Sequence, residues 1–135
     1  MRILYSRRSI EHSELARLTQ IDYAREMAFI ATRALPDGGQ ETLGAVRASV
    51  DPDNHTAEFG VLVRSDLKGS GLGRRLMDKL IAHLKARGTQ EVVGTVLRAN
   101  TGMLELARKL GFVISDHPGE PQEQETRYIR LDLQA

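Results

Sequence analysis

The stretch VLVRSDLKGSGLGRRLMDKLIAHL, residues 61–84, decides how this chain is read. An apolar run, Val61–Val63, gives way to Gly69, Gly71 and Gly73 at alternate positions, and then to Leu72, Leu76, Leu80 and Leu84 at intervals of four. Met77 and Ile81 fall beside those leucines, so a single apolar stripe predicts a helix that begins among the glycines. Glycine lets a backbone take positive φ and come close to a bulky ligand, while N–H groups at a helix N-terminus form an anion-binding concavity. Phosphate is the natural guest of such a loop. Lys68, Arg74 and Arg75 flank it, either as supplements to an anion site or as an ordinary solvated face.

Working outward, TAEFGVLV (56–63) reads as the strand that feeds the loop, and REMAFIATRAL (25–35) and ETLGAVRASV (41–50) as two strands before it. The turn residues of PDGGQ and DPDNH separate them, in what looks like an antiparallel meander. Ser9 or Ser13 is placed to cap a short first helix, with Leu15 and Leu18 at helical spacing before TQIDY interrupts the pattern. Beyond the loop helix, Gly88 is the stop, and the β-branched run EVVGTVL (91–97) is a buried strand. Asn100 or Thr101 caps a second helix whose Met103, Leu104, Leu106, Ala107 and Leu110 face inward until Gly111. FVISD and ETRYIRLDL complete an α/β pattern with a mixed sheet.

The 135 residues fit one domain, residues 1–135, with a packed core: hydrophobic content is 41% and charged content 27%. A formal charge of +1 gives no global attraction for nucleic acid or for an anionic membrane. Without cysteine there is no disulfide framework, thiolate nucleophile or Cys-type zinc site, and the four histidines lack metal-like spacing, so no metal is expected. Arg7 and Arg8 break the first apolar run too early for a signal peptide, and no run approaches the ~20 residues needed to cross a bilayer. The expectation is a cytoplasmic protein of undetermined oligomeric state.

Spacing decides which phosphate ligand suits the loop. A Walker loop needs G-x-x-x-x-G-K-[ST], but Arg74 and Arg75 stand at the second glycine and the lysine counted from Gly69. A dinucleotide fingerprint also fails at Arg74 and would follow the first strand of a parallel unit, although Glu91 lies near the place of a ribose-binding acid.

LKGSGLGRRLM (67–77) instead resembles the acetyl-CoA loop of the GNAT superfamily of N-acetyltransferases, Arg/Gln-x-x-Gly-x-Gly/Ala, with Lys68 in the first position and Gly71 and Gly73 matching. Lys68 keeps the charge there but loses a planar hydrogen-bonding group. NTGMLELARKLGF (100–112) is similar to the second coenzyme segment of the same family. The resemblance implies a GNAT fold, a mixed and mostly antiparallel sheet with flanking helices, lacking the usual first strand and helix before Met1. The chain would then be a fragment of a longer protein or complete its fold with a partner. A narrower likeness in LARLTQIDYAREMAFIA, AEFGVLV and ARKLGF is to the GNAT domain of bacterial Pat-type protein lysine acetyltransferases, which act on metabolic enzymes such as an acyl-CoA synthetase.

The resemblance assigns roles. Acetyl-CoA is the donor, and the acceptor is the ε-amine of a protein lysine, with a small-molecule amine or a non-catalytic acetyl-CoA-sensing module as alternatives. Glu58 matches the family's fourth-strand glutamate and would take the proton of an amine whose unperturbed pKa is about 10.4. Backbone N–H groups of Val61, Leu62 and Val63 would bind pantetheine, while their side chains read as core. Lys68, Gly69, Ser70, Gly71, Leu72, Gly73 and Arg74 would take the pyrophosphate, and Asn100 either the pantetheine arm or only the helix cap. The family's usual acid in the second helix, a tyrosine, is replaced by Ala107; Tyr5, Tyr23 and Tyr128 lie elsewhere. Asp22 and Glu26 are either a second acid/base pair or partners of Arg25.

Overall fold

A computed structural model describes residues 17–22, 25–116 and 125–134. Four strands precede the first helix: β1 (Arg17–Asp22), β2 (Glu26–Ala34), β3 (Gln40–Val50) and β4 (Thr56–Val63). Helix α1 (Leu72–Ala86), strand β5 (Glu91–Leu97), helix α2 (Thr101–Leu110) and strands β6 (Val113–Asp116) and β7 (Thr126–Asp132) follow. The described residues divide into two compact units. One holds those up to Ala48 together with Val61–Leu80, and the other holds Ser49–Gly60 together with those from Ile81 onward.

In the first unit the strands lie in the order β1-β2-β3, followed by the end of β4. β1 corrects the sequence expectation. Leu18 stands at helical spacing from Leu15, yet Arg17–Asp22 is extended and pairs antiparallel with β2, from Arg17 opposite Thr32 to Asp22 opposite Met27. Pairing along the whole strand supplies hydrogen bonds that a half-formed helix lacks, and local periodicity yields to it. Ser9 and Ser13, the proposed caps, lie outside the described residues, as do Tyr5, Tyr23, His12 and His117. The core of this unit is Met27, Phe29 and Ala31 of β2, Leu43 and Val46 of β3, Leu67, and Leu72, Leu76, Met77 and Leu80 of α1. The leucine stripe read from the sequence is therefore the buried face of α1.

In the second unit the order runs from the start of β4 through β5 and β7 to β6. β4 and β5 pair parallel, from Thr56 opposite Glu91 to Glu58 opposite Val93, whereas β5–β7 and β6–β7 are antiparallel. The pairing is mixed, one parallel pair beside antiparallel ones, and parallel neighbours need a crossover connection between them. Ala57, Phe59, Val92, Val93, Val96, Leu104, Ala107, Phe112 and Ile129 fill the core. Gly111 ends α2 with φ of 97°, a conformation open to glycine, and the next N–H, that of Phe112, donates to the Ala107 carbonyl at 2.9 Å. Among the described histidines, His55 is exposed and His83 is half-buried. No described helix is long and apolar enough to cross a membrane.

Candidate active site

The glycine loop belongs to the first unit. β4 ends at Val63, a single 3-10 turn spans Ser65–Leu67, and α1 starts at Leu72. Between them Gly69 and Gly71 have φ of 85° and 93°, so the chain reverses handedness at alternate residues. A side chain at either position would be strained. A β-carbon built on Gly71 meets nothing within 4 Å, so the bare backbone there faces open space rather than a packed neighbour. Lys68, Gly69 and Gly71 are exposed.

The amides at the head of α1 are partly committed. Leu72 donates its N–H to Ser70 Oγ at 3.3 Å, and Arg75 donates to the Gly71 carbonyl at 3.1 Å, which begins the helical ladder. Gly73 and Arg74 lie ahead of the ladder, where helix geometry leaves N–H groups without an intrahelical acceptor. The positive end of the helix dipole adds to them. The Arg74 side chain is exposed and its Nε lies 3.4 Å from Asp78 Oδ1, a contact that solvent screens. Positive-φ glycines, accessible backbone and unsatisfied amides together fit a diphosphate.

The side chains expected to be core at the end of β4 are not. Leu62 is 77% exposed, and Val61 and Val63 are only half-buried. Alternation along the strand turns position 62 to the opposite side from its neighbours, and no burial follows. The carbonyl of Leu62 comes within 2.8 Å of where a Gly44 β-carbon would stand. Arg64, whose N–H donates to the Leu43 carbonyl at 3.0 Å, then fixes where β4 stops and the loop begins.

Glu58 and Asn100 belong to the second unit. Glu58 is exposed between Ala57 and Phe59, both buried, so the period of two places its carboxylate on the face away from the core. Asn100 precedes α2 and accepts the Met103 N–H on Oδ1 at 3.1 Å, which makes it the helix cap whatever else it does. Ala107, in the place of the absent tyrosine, is fully buried and offers no proton. Tyr128, on β7, is half-buried. Glu26 is exposed. Glu91, which a dinucleotide site would direct at a ribose, instead accepts from Thr56 Oγ1 at 2.8 Å and from Arg130 Nε. Sequence reasoning missed Glu41. Its buried carboxylate binds Arg33 and Arg64, and only the pairing of strands brings those three residues together.

Residues 1–112 match the Acetyltransferase (GNAT) family. The chain is 30% identical over 125 residues to an L-methionine sulfoximine/L-methionine sulfone acetyltransferase of Pseudomonas aeruginosa, an alignment that covers 84% of this chain and 73% of that protein. It is 37% identical over 67 residues to the L-amino acid N-acyltransferase MnaT of Escherichia coli, across 50% of this chain but only 39% of the relative. Among solved structures, yncA of Salmonella typhimurium, a putative acetyltransferase with its cofactor acetyl-CoA, superposes with a TM-score of 0.62 at 22% identity, over 82% of this chain and 66% of that one. With the fold, the glycine loop and these matches in agreement, the chain belongs to the GNAT family of acetyltransferases, enzymes whose cosubstrate is acetyl-CoA.

Proposed function

We propose that this chain transfers the acetyl group of acetyl-CoA directly to the amine of a small amino-acid-like acceptor. The single observation that carries the donor half is the loop at the head of α1, with Gly69 and Gly71 at positive φ and open space at Gly71. The activities of the two relatives from Pseudomonas aeruginosa and Escherichia coli, both named for amino acids or their analogues, support the acceptor half. Backbone N–H groups of Gly69, Gly71, Gly73 and Arg74 receive the pyrophosphate, Ser70 shapes the turn through its own bonds to Leu67 and Leu72, Lys68 adds charge, and the start of α1 at Leu72 sets the direction. Val61, Leu62 and Val63 present backbone to the pantetheine arm, and Asn100 adds its side-chain amide while its oxygen caps α2.

Glu58 takes the proton from the acceptor's ammonium, directly or through water, before attack on the thioester, because only the neutral amine is nucleophilic. At 1.36 kcal/mol per pKa unit, deprotonating a lysine-type ammonium at pH 7 costs roughly 4 to 5 kcal/mol and the less basic α-ammonium of an amino acid less, a cost that a positioned carboxylate shares in either case. The leaving thiol has an ordinary pKa near about 8.5, so it departs without a dedicated acid, consistent with alanine at position 107.

The ε-amine of a protein lysine is the second reading of the acceptor, favoured by the exposure of Glu58 and by the Pat-like stretches AEFGVLV and ARKLGF. One assay separates the readings: acetyl-CoA turnover with a panel of L-amino acids and methionine sulfone, beside a lysine-bearing acyl-CoA synthetase. Turnover confined to the small amines is the expected result, and labelling of the protein alone overturns it. Glu58→Gln is expected to lose rate at unchanged coenzyme affinity; a chain with no turnover on any amine, in which Glu58→Gln changes nothing, is a sensor of acetyl-CoA and not an enzyme.

A further inference from the structure

We propose that Glu41 and Arg64 form a positioning pair that sets the shape of the coenzyme loop, an inference that rests on the assignment of Gly69–Gly71 to acetyl-CoA. Glu41 is the second residue of β3 and its side chain is only 4% exposed. One oxygen accepts from Arg33 Nη2 on β2, and the other accepts from Arg64 Nη1 at 2.9 Å. Arg64 Nε lies 3.7 Å from Asp66 Oδ1 as well. Two guanidinium groups and a second carboxylate thus surround the buried carboxylate of Glu41, themselves 17–19% exposed. The charge of Glu41 depends on its partners, since a buried charge left alone is costly.

The pair is coupled to the loop by consecutive links. The Arg64 carbonyl accepts the Leu67 N–H at 2.9 Å, the Leu67 carbonyl accepts the Ser70 N–H at 3.0 Å, and Ser70 Oγ accepts the Leu72 N–H at 3.3 Å. Leu67 is itself fully buried. A path of hydrogen bonds thus leads from a buried carboxylate to the first residue of α1, through the turn that carries Gly69 and Gly71. Glycines at such positions leave the free loop many conformations, and each must be given up when a ligand is bound. Holding Arg64 by both backbone and guanidinium removes that freedom beforehand. The planar fork fixes its direction in a way that a lysine ammonium does not. Neither Glu41 nor Arg64 touches the coenzyme; both act through the backbone of Arg64.

The experiment measures acetyl-CoA affinity by calorimetry and steady-state kinetics for the wild-type chain, Glu41→Gln, Arg64→Lys, and the double variant Glu41→Gln/Arg64→Gln. The double variant removes the carboxylate and the Arg64 guanidinium together, so neither is left facing the other's absence, and it keeps the test available if a single variant does not fold. The expected result is a Kd and KM for acetyl-CoA raised about tenfold, with kcat at saturation within about twofold of wild type. Ser70→Ala weakens binding on its own but adds little to Glu41→Gln, because both interrupt one path. Glu91→Gln, which breaks a carboxylate network of the second unit, lowers Tm and leaves the coenzyme KM unchanged. A folded Glu41→Gln chain with wild-type Kd, a loss confined to kcat, or full additivity with Ser70→Ala overturns the inference alone. A folded wild-type chain that binds no acetyl-CoA overturns the loop assignment and the inference with it.

Discussion

Phe59 lays its ring on the bare α-carbon of Gly94: a β-carbon built there would stand 2.5 Å from Phe59 Cε1 and 2.9 Å from Cζ. The parallel pairing of β4 and β5 runs from Thr56–Glu91 to Glu58–Val93, and the ring lies at the next position along. Phe112, just past α2, packs against the same ring at 5.8 Å between centroids, tilted by 52°. The residue beside Glu58 is thus held from two sides. Gly94→Ala is expected to cost about 1–3 kcal/mol by overpacking, and Phe59→Leu in the same chain to recover part of it. Chemical denaturation of the two single variants and the double checks this; equal stability of Gly94→Ala and wild type contradicts it.

Gly44 plays the corresponding part in the first unit. Its missing β-carbon would meet the Leu62 carbonyl at 2.8 Å and the ends of Leu72 and Leu76 at 3.3 Å. The leucine tips can turn aside but the carbonyl cannot, so Gly44→Ala displaces the backbone of β4 at Leu62. The expected outcome is a loss of about 1–3 kcal/mol together with weaker acetyl-CoA binding, measured by denaturation and calorimetry on the same preparation. Unchanged affinity in a destabilised chain would remove Leu62 from the coenzyme contact.

Asn100 tests whether one side chain does two jobs. Asn100→Ala removes the acceptor of the Met103 N–H and is expected to cost about 1 kcal/mol. Asn100→Asp keeps a cap of similar strength but replaces the amide donor with charge. Stability is expected to return in the Asp variant while acetyl-CoA affinity does not. Recovery of both would leave Asn100 as a cap only.

The acid limb of stability is expected to depend on Glu91. The hydroxyl of Thr56, first of all, holds its carboxyl below the ordinary glutamate range; burial opposes it, and the hydrogen bond and charge of Arg130 add to the lowering. The folded pKa lies below the unfolded one, so the unfolded chain binds more protons in acid. The contribution of Glu91 is therefore complete above the unfolded value of about 4.3 and is lost as pH falls through the lower folded value. Glu91→Gln should be less stable at neutral pH and should lose stability less steeply below that value. Denaturation curves across the acid range give the comparison; parallel limbs for wild type and variant would show that another group governs.

Much of this was legible where local chemistry and tertiary contact agree. TAEFGVLV and EVVGTVL form strands over those very residues, and Asn100 and Gly111 bound α2 as their cap chemistry implies. Gly69 and Gly71 take the positive φ that their type permits. Agreement failed where the deciding contact is distant in sequence. Leu15 and Leu18 suggest a helix, but Leu18 pairs with Ala31 in β1–β2, a bond that no local window contains. Leu62 looks like core by composition and is exposed because of its place on the strand. Glu41 is one acidic residue among eighteen until β2, β3 and the end of β4 bring Arg33 and Arg64 to it.

Titration calorimetry of the folded chain with acetyl-CoA, beside Gly71→Val and with ATP as a control ligand, tests the coenzyme assignment most directly. Gly71 has open space for a side chain but a φ of 93°, so valine there changes the loop backbone without disturbing the core. The wild-type chain is expected to show one saturable site for acetyl-CoA, none for ATP, and loss of the site in Gly71→Val. A folded wild-type chain that takes up no acetyl-CoA, or a Gly71→Val chain that binds it as well as wild type, would contradict the assignment of the loop to the coenzyme pyrophosphate.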